Sequence, residues 1–481
     1  MNAKVREILD VFEEINKVPR RSKHEEEISK WLVKWGEDNG FNVKTDEVMN
    51  VLIEVPATPG HEDKPVLVLQ GHMDMVCEKM PDSKHDFSKD AIKHLMDGDW
   101  MTADGTTLGA DNGIALAIAM VTAIDKDVVH PPLELLFTID EETGLTGANA
   151  LKKGWLKGKV LLNLDSEDEG IFTVGCAGGR DTTISFKPEI KPFCSDRDVM
   201  CLKIAGLSGG HSGVDIALPK GNANVILARV LEAISEITPV KIGYIHGGSA
   251  HNAIPRDAEA IISVKKAHVE EVNARVEDLG GKIKSEFSRS EPAMTISIRN
   301  NTPYDDMMFS TPDSKNLINM MVAMPHGVAA MSSDIEGLVE TSNNFATIRF
   351  DKGIVEILSS QRSSVASRLD WITSKVEKAA IVAGAEAVSG NGYPGWEPNM
   401  DSVVLEKCVS IYEEMYGKKP VVEVIHAGLE CGIIGSKNEG MDMISYGPTI
   451  KNPHSPDEKM YVPSIEKIWD FTVELMKSYC K

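Results

Sequence analysis

The segment Pro65-Val-Leu-Val-Leu-Gln-Gly-His-Met-Asp74 decides the fold, because a short apolar run ends there in polar, metal-binding side chains. Two other apolar runs follow the same plan, residues 133–139 before Asp140-Glu141-Glu142 and residues 159–164 before Asp165. Such runs, alternating with helical segments, indicate buried strands of a mostly parallel sheet covered on both faces. Ligands of open α/β sheets gather beyond the carboxyl ends of the strands, so we expect these polar residues to meet at one edge.

Two more metal-type residues come from loops. Asp111 lies in Gly109-Ala-Asp-Asn-Gly113, before a predicted helix over 114–124, and His454 follows a predicted strand over 443–445. Imidazole and carboxylate groups suit zinc or a similar divalent ion, and a carboxylate can bridge two ions about 3.5–4 Å apart in two-metal hydrolases. One such residue alone is usually a solvated or capping residue, but five segments with this pattern favour a two-metal site.

The spacing within each motif predicts separate roles. His72 and Asp74 are two residues apart, so in an extended segment their side chains point the same way, and Asp74 can accept the second ring N–H of His72. Adjacent residues of an extended segment point oppositely. We therefore expect one of Glu141 and Glu142 to bind metal and the other to face the substrate.

Eight blocks of the sequence resemble those of the M20 metallopeptidases, and within that family they most resemble the aminoacyl-histidine dipeptidase branch, also called Xaa-His or cytosolic non-specific dipeptidases. The blocks span essentially the whole chain in the family's order. They are Gly71-His-Met-Asp74, Gly109-Ala-Asp-Asn-Gly113, Asp140-Glu-Glu-Thr-Gly144, Asn163-Leu-Asp-Ser-Glu167, Leu207-Ser-Gly-Gly-His-Ser-Gly213, His251-Asn-Ala-Ile-Pro-Arg256, His426-Ala-Gly-Leu-Glu-Cys-Gly432 and Asn452-Pro-His-Ser-Pro456.

The resemblance implies a role for each matching residue. Glu141 matches the general base that deprotonates a metal-bridging water, and Asp74 matches the aspartate that supports a histidine ligand. His211 matches a histidine of the second domain that stabilises the oxyanion. Asp111 matches the bridging ligand. The full set of implied metal ligands is His72, Asp111, Glu142, Asp165 and His454.

Substrate-binding residues are less fully matched. Asn252 matches an asparagine that binds substrate in related enzymes. Several relatives carry an arginine for the substrate carboxylate further along, where this chain has Ser263-Val-Lys-Lys266. We take Arg362 as the substitute, and Glu430 as a residue of the substrate pocket, with a structural role for Glu430 equally open.

The length predicts two domains, because 481 residues exceed the roughly 250–300 at which a single core stops growing. The metal motifs leave a long gap between Asp165 and His454. An inserted α/β lid or dimerisation domain over 183–391 fits that gap, and the catalytic domain then comprises 1–182 and 392–481. The elements predicted inside the insertion are strands over 199–204 and 258–264 and helices over 222–237, 269–285 and 364–382.

Composition excludes some function classes. A net charge of −22 argues against binding to nucleic acid or anionic membranes, which requires a basic surface. Seven cysteines without a C-x-x-C pair favour reduced thiols in the cytoplasm. The charged N-terminus is not a signal peptide, and the apolar stretch 114–124 is too short to span a bilayer. The N-terminus instead predicts an amphipathic helix with Val5, Ile8, Leu9, Phe12 and Ile15 inward.

We therefore expect a cytoplasmic homodimeric dipeptidase that uses two divalent ions to hydrolyse unblocked dipeptides, including Xaa-His. Zinc is the first choice of metal, with cobalt or manganese as alternatives, because the same N/O ligands admit several ions. The main alternative is an aminoacylase or carboxypeptidase acting on N-acyl amino acids. A non-catalytic dimeric binding protein of the same fold also stays open, whereas the acidic charge disfavours a two-metal phosphohydrolase.

Overall fold

The chain divides into two compact units. The computed structural model describes residues 2–193, 195–304, 307–333, 335–390 and 392–481. The first unit comprises Met1–Cys176, Trp396–Val424 and Leu429–Lys481, and the second comprises Ala177–Gly395 and Ile425–Gly428. The predicted insertion over 183–391 falls within the second unit, although Asn391 itself lies outside the described residues. The short segment Ile425–Gly428 of the second unit was not predicted.

The elements are numbered in chain order. Up to Cys176 they are α1 (Ala3–Ile15), α2 (Glu26–Asp38), β1 (Asn42–Thr45), β2 (Val51–Val55), β3 (Leu67–His72), β4 (His94–Asp97), β5 (Trp100–Ala103), α3 (Ala110–Ile124), β6 (Leu133–Thr138), α4 (Glu141–Gly144), α5 (Thr146–Ala150), β7 (Val160–Asn163) and β8 (Ile171–Cys176).

The next elements lie between Ala177 and Gly395. They are β9 (Gly178–Phe186), β10 (Ile190–Lys191), β11 (Arg197–Ala205), β12 (Gly210–His211), α6 (Ala223–Ser235), β13 (Lys241–Gly247), β14 (Ala253–Ile254), β15 (Ala258–Lys265), a 3-10 helix (Lys266–His268), α7 (Val269–Glu286), β16 (Thr295–Arg299), β17 (Met308–Phe309), α8 (Thr311–Ala323), β18 (Gly327–Met331), β19 (Val339–Asp351), β20 (Ile354–Ser363), α9 (Ala366–Val382) and β21 (Glu386–Ser389).

The last part of the chain completes the first unit. Its elements are α10 (Val403–Tyr416), β22 (Val421–Ile425), α11 (Glu430–Lys437), β23 (Asp442–Ser445), β24 (Ile450–Lys451), β25 (Lys459–Tyr461) and α12 (Val462–Ser478).

The first unit is built on an eight-stranded sheet in the order β1-β2-β6-β3-β7-β23-β8-β22. Its central pairs β6–β3, β3–β7 and β7–β23 are parallel, which confirms the predicted parallel core, and antiparallel pairs flank them. All six residues of β3 and of β6 are buried, as expected for strands covered on both faces. The ends of β3, β6 and β7 therefore lie side by side.

Helix α1 is the amphipathic helix that the N-terminal sequence predicts. Its buried residues are the five predicted ones, Val5, Ile8, Leu9, Phe12 and Ile15. Their spacing places them on one helical face. Asn2 is the N-cap of this helix, and its side-chain oxygen accepts the N–H of Lys4 at 2.7 Å.

The second unit has a different architecture. Its main sheet has the order β16-β11-β15-β13-β19-β20-β9-β21, with β18 paired to β19, and its recorded strand pairs are antiparallel. Predicted strands 199–204 and 258–264 lie within β11 and β15. The three predicted helices correspond to α6, α7 and α9. A continuous apolar core lies between these helices and the sheet.

Two expectations from composition can be compared with the structure. No described helix is long and apolar enough to cross a membrane. The six cysteines among the described residues are free thiols, and Cys194 lies outside the described residues.

Candidate metal centre

The predicted ligands converge at the carboxyl ends of the parallel strands of the first unit. His72 ends β3, and its Nε2 lies 3.1 Å from Asp111 Oδ1 and 3.4 Å from Asp165 Oδ1. His454 comes from the turn before β25, and its Nε2 lies 3.1 Å from Asp111 Oδ2 and 2.9 Å from Glu142 Oε2. The structure thus brings together all five residues that the sequence predicts as ligands.

Asp111 lies at the centre of this cluster. Its Oδ1 faces His72, which also contacts Asp165. Its Oδ2 faces His454, which also contacts Glu142. The ligand atoms of His72, Asp111 and Glu142 lie within 4.8 Å of one another. A carboxylate placed between two sets of donors has the geometry of a bridging ligand.

Burial differs across the cluster. The side chain of His72 is 1% exposed and that of Asp165 is 7% exposed, whereas His454 is 50% exposed. The half formed by His72 is therefore enclosed, and the half formed by His454 is open to solvent.

The charge of the cluster fits a cation. Hydrogen bonds with Asp111 and Glu142 raise the pKa of His454 to about 11. Burial disfavours a charged His72, yet Asp165 and the neighbouring carboxylates outweigh burial and raise its pKa well above the usual range. Among the described residues, Glu142 Oε1 is buried without a hydrogen-bond partner. Carboxylates outnumber the imidazoles, so the donor set suits divalent metal ions.

Asp74 connects β3 to the segment after β6. Its Oδ1 lies 3.3 Å from His72 Nδ1, a contact that is not aligned as a hydrogen bond. Both side chains lie on the same side of the extended segment, as predicted. Asp74 also accepts the N–H groups of Glu141 at 3.0 Å and Glu142 at 3.3 Å, and the hydroxyl of Ser22 at 2.8 Å. One buried carboxylate thus positions the backbone of both glutamates and lies beside the His72 ring.

The expectation that Glu141 and Glu142 lie in an extended segment is wrong. They begin the short helix α4, and Asp140 before them has a φ of 49°. The chain turns here because Asp74 accepts two of its N–H groups, while Asp140 accepts hydroxyl hydrogen bonds from Thr143 and Thr146.

The two glutamates nevertheless have different surroundings. Glu142 contacts His454 directly, at 2.9 Å. Glu141 has a raised pKa. Burial is the main cause, and the negative charges of Asp165 and Glu142 add to it, so the pKa lies well above the usual range although the charge of His72 lowers it. This difference supports separate roles for the pair.

The backbone around Asp111 is irregular. Helix α3 begins at Ala110, but Asp111 (φ −80°, ψ 107°) and Asn112 (φ −115°, ψ 27°) are not helical, and the peptide bond between them is cis. Asn112 donates to Leu164 O at 2.9 Å and accepts the N–H of His72 at 3.2 Å. Its amide side chain thus connects three ligand-bearing segments.

Arg20 and Glu458 support the site and were missed in the sequence. Arg20 is buried and donates to the carbonyl oxygens of Asp74 at 3.1 Å and Gly109 at 2.6 Å. No motif around Arg20 could have identified it. Glu458 accepts backbone N–H groups from the Asp111 segment. It lies four residues after His454 and two beyond the Asn452–Pro456 block, and this proximity was the available signal.

Glu430 is the first residue of α11, and its buried side chain contacts β3 and β6. It is 1% exposed and accepts hydrogen bonds from Gln70 Nε2 at 2.7 Å and Thr138 Oγ1 at 2.7 Å. Burial raises its pKa to about 7. These contacts favour the structural role, and a contact with substrate stays a prediction.

The second unit holds the other predicted residues. His211 pairs with Ala253 in the β12–β14 ladder, next to Asn252, whose carbonyl accepts the N–H of Ser212 at 2.8 Å. His211 Nδ1 accepts the N–H groups of Gly213 at 3.2 Å and Val214 at 3.1 Å. Burial, followed by the charge of Arg362, lowers the pKa of His211. A shift in this direction favours the neutral ring, and a neutral ring whose Nδ1 accepts two N–H groups has its proton on Nε2.

Arg362 is a buried cation near the end of β20. It is 7% exposed, and its Nη1 donates to the Tyr393 hydroxyl at 3.0 Å. Among the described residues, its Nε has no hydrogen-bond partner. A buried guanidinium with unused donors is suited to a carboxylate ligand.

A parallel sheet whose strand ends gather histidines and carboxylates around a central aspartate is the architecture of a two-metal hydrolase. Residues 68–478 match the family model described as "Peptidase family M20/M25/M40". The chain belongs to this peptidase family.

Individual relatives agree with this family. The chain is 38% identical over 468 residues to "Cytosol non-specific dipeptidase" of Escherichia coli strain K12, an alignment that covers 97% of this chain and 96% of that protein. The crystal structure of aminoacylhistidine dipeptidase from Vibrio alginolyticus superposes with a TM-score of 0.92 at 39% identity, covering 98% of this chain and 96% of that chain. A "Probable carboxypeptidase" of Aspergillus clavatus is 24% identical over 54% of this chain and 62% of its own length.

Proposed function

We propose that this protein is a cytoplasmic dipeptidase that uses two divalent metal ions to hydrolyse unblocked dipeptides, including those with a C-terminal histidine. The position of Asp111 between His72 and His454 is the observation that carries the proposal. The names of two relatives that align over nearly their whole length, a non-specific and an aminoacylhistidine dipeptidase, support the substrate class.

The metal ligands would be the residues gathered around Asp111. His72 and Asp165 would hold one ion, and His454 and Glu142 the other, with Asp111 shared between them. Such ions lower the pKa of water towards about 7 and polarise a carbonyl group. Zinc is the proposed ion, with cobalt and manganese as alternatives.

Glu141 would act as the general base. The N–H of Glu141 donates to Asp74, which holds Glu141 beside Glu142. Glu142 pairs with His454, whereas no ion pair of Glu141 is recorded among the described residues of the cluster. The Glu141 carboxylate takes a proton from the attacking water and later delivers it to the leaving amine. Burial, together with the charges of Asp165 and Glu142, raises the pKa of this carboxyl, as expected of a group that holds a proton between the two transfers.

Residues of the second unit would recognise the substrate. His211 Nε2–H can donate to the oxyanion of the tetrahedral intermediate, since Nδ1 is occupied by backbone N–H groups. Arg362 would bind the substrate carboxylate, and Asn252, which precedes the strand β14 that pairs with His211, would bind the peptide. This unit is also the proposed surface for homodimer formation.

Turnover of paired substrates tests the proposal against its main alternative. Free dipeptides and their N-acetylated counterparts would be compared with metal-loaded protein, and we expect cleavage of the free forms only. Preference for the blocked forms would indicate an aminoacylase or carboxypeptidase, an activity class suggested by distant relatives. Binding of dipeptides without cleavage of either form would indicate a non-catalytic binding protein.

A further inference from the structure

We infer that Glu458 is a positioning residue of the metal centre, which fixes the backbone of Asp111 from the turn that carries His454. The inference rests on the proposed metal ligation by Asp111 and His454. The hydrogen bonds of the Glu458 carboxylate go to backbone N–H groups. Its role is to keep two ligand-bearing segments, far apart in sequence, at a fixed separation.

Both carboxylate oxygens of Glu458 accept hydrogen bonds from the segment that leads into Asp111. Glu458 is 2% exposed, and it accepts four consecutive backbone N–H groups. Oε2 accepts from Leu108 at 2.7 Å and Gly109 at 2.9 Å, while Oε1 accepts from Ala110 at 2.8 Å and Asp111 at 3.3 Å. Four N–H groups directed at the two oxygens of one buried side chain fix the path of the main chain from Leu108 to Asp111.

Among the described residues, Glu458 is the acceptor recorded for all four of these N–H groups at the start of α3. The first N–H groups of a helix lack partners within the helix, and a side chain at the N-cap usually accepts them. Here the N-cap is Gly109, which has no side chain and a φ of 68°. Asp111 and Asn112 then leave the helical conformation. Arg20 and Asn16 bind carbonyl oxygens of this segment, and Glu458 is the group that accepts its N–H groups up to Asp111.

The other end of the connection is also fixed. Glu458 N–H donates to Ser455 O at 3.0 Å, which closes the turn that begins beside His454. Directly after Glu458, β25 pairs with β5, where Met460 lies opposite Met101. Glu458 therefore lies between a closed turn and the paired strand β25. A change in its length or charge would alter the position of Asp111 relative to His454.

Glu134 provides a matched comparison in the same unit. It is a glutamate of 1% exposure that accepts backbone N–H groups from Lys157 at 3.0 Å and Gly158 at 3.0 Å. These donors carry none of the proposed ligands. Replacing Glu134 thus removes a buried carboxylate–backbone contact without touching the Asp111 segment.

The test compares metal affinity in Glu458→Gln and Glu134→Gln. Glutamine keeps the size of the side chain but has only one acceptor oxygen, and its NH₂ group would face backbone N–H groups. We expect both variants to unfold at lower urea concentration than wild type. Only Glu458→Gln should bind zinc about 10–100-fold more weakly, the usual effect of losing a residue that orients ligands. Zinc affinity is measured by chelator competition and zinc content by mass spectrometry.

Two outcomes would overturn the inference. One is wild-type zinc affinity in Glu458→Gln, and the other is an equal loss of zinc from both variants, which would show general destabilisation. If Glu458→Gln does not fold, Glu458→Asp is used in its place, because aspartate keeps the carboxyl group but has a shorter side chain. Unchanged zinc affinity in Glu458→Asp would also contradict the inference. Absence of binding of zinc, cobalt and manganese alike by wild type would instead refute the proposed function.

Discussion

At the scale of single residues, the proposed division of roles between Glu141 and Glu142 depends on the different surroundings of their carboxyl groups. Glu141 and Glu142 are adjacent, and Asp74 accepts the backbone N–H of each, yet only Glu142 contacts a histidine of the cluster. Burial and nearby negative charge act on Glu141 without such a partner. Adjacent residues can therefore serve as ligand and base.

Replacing each glutamate separately tests this division. Glu141→Ala should retain two metal ions per chain but lose turnover by about 10²–10⁴-fold, because it removes proton transfer rather than a ligand. Glu142→Ala should release metal. Metal content by mass spectrometry and dipeptide turnover are measured on both variants. Metal loss from Glu141→Ala with turnover retained would reverse the assignment.

Glu430 predicts a dependence of stability on pH. Burial raises its pKa to about 7 in the folded protein, from an ordinary value of 4.5. The folded state therefore binds this proton more tightly than the unfolded state, and the stabilisation is lost as pH rises through about 7. Glu430→Gln should gain stability relative to wild type, by roughly 1–3 kcal/mol, between about pH 5 and about pH 8.

Urea unfolding of both proteins in chelator measures this difference. The chelator removes the separate effect of pH on metal binding. A difference between the two proteins that stays constant across the pH range would contradict the raised pKa of Glu430.

At the scale of elements, Gly109 shows how packing sets the start of α3. Its φ is 68°, and an added Cβ would lie 2.3 Å from Arg20 Nη2. Gly105 has a similar φ of 71°, but its nearest neighbour would be 3.8 Å away. Gly105→Ala should cost about 1–2 kcal/mol for the left-handed backbone alone. Gly109→Ala should cost more, because Arg20 must also move.

Free energies of unfolding in urea compare these two variants. An equal cost for both substitutions would show that Arg20 adjusts freely and that the close packing at Gly109 is unimportant.

The parallel core of the sheet could be predicted because its strands are continuous apolar runs, and their ends place His72, Asp165 and the Glu141–Glu142 pair together. Features formed by distant partners could not be predicted. The turn at Glu141 depends on Asp74, and the conformation of Asp111 depends on Glu458, which is 347 residues away in sequence. Local propensity does not carry such information.

At the scale of the whole molecule, the proposed ligands all belong to the first unit, whereas His211, Asn252 and Arg362 belong to the second. Metal binding should therefore stabilise the two units unequally. A ligand at 100 times its dissociation constant adds about 2.7 kcal/mol to the state that binds it. Added zinc should slow amide hydrogen exchange in β3, β6 and β7 but leave β11, β15 and β20 nearly unchanged. Equal slowing in both units would contradict the assignment of the ligands.

The central claim is that the Asp111 cluster binds two metal ions that are required for dipeptide hydrolysis. The most direct measurement is dipeptide turnover by metal-stripped protein as zinc, manganese or cobalt is titrated back. We predict no turnover without metal and full restoration at two equivalents per chain. Undiminished turnover by the stripped protein, or no cleavage of any dipeptide with any of the three ions, would contradict the claim.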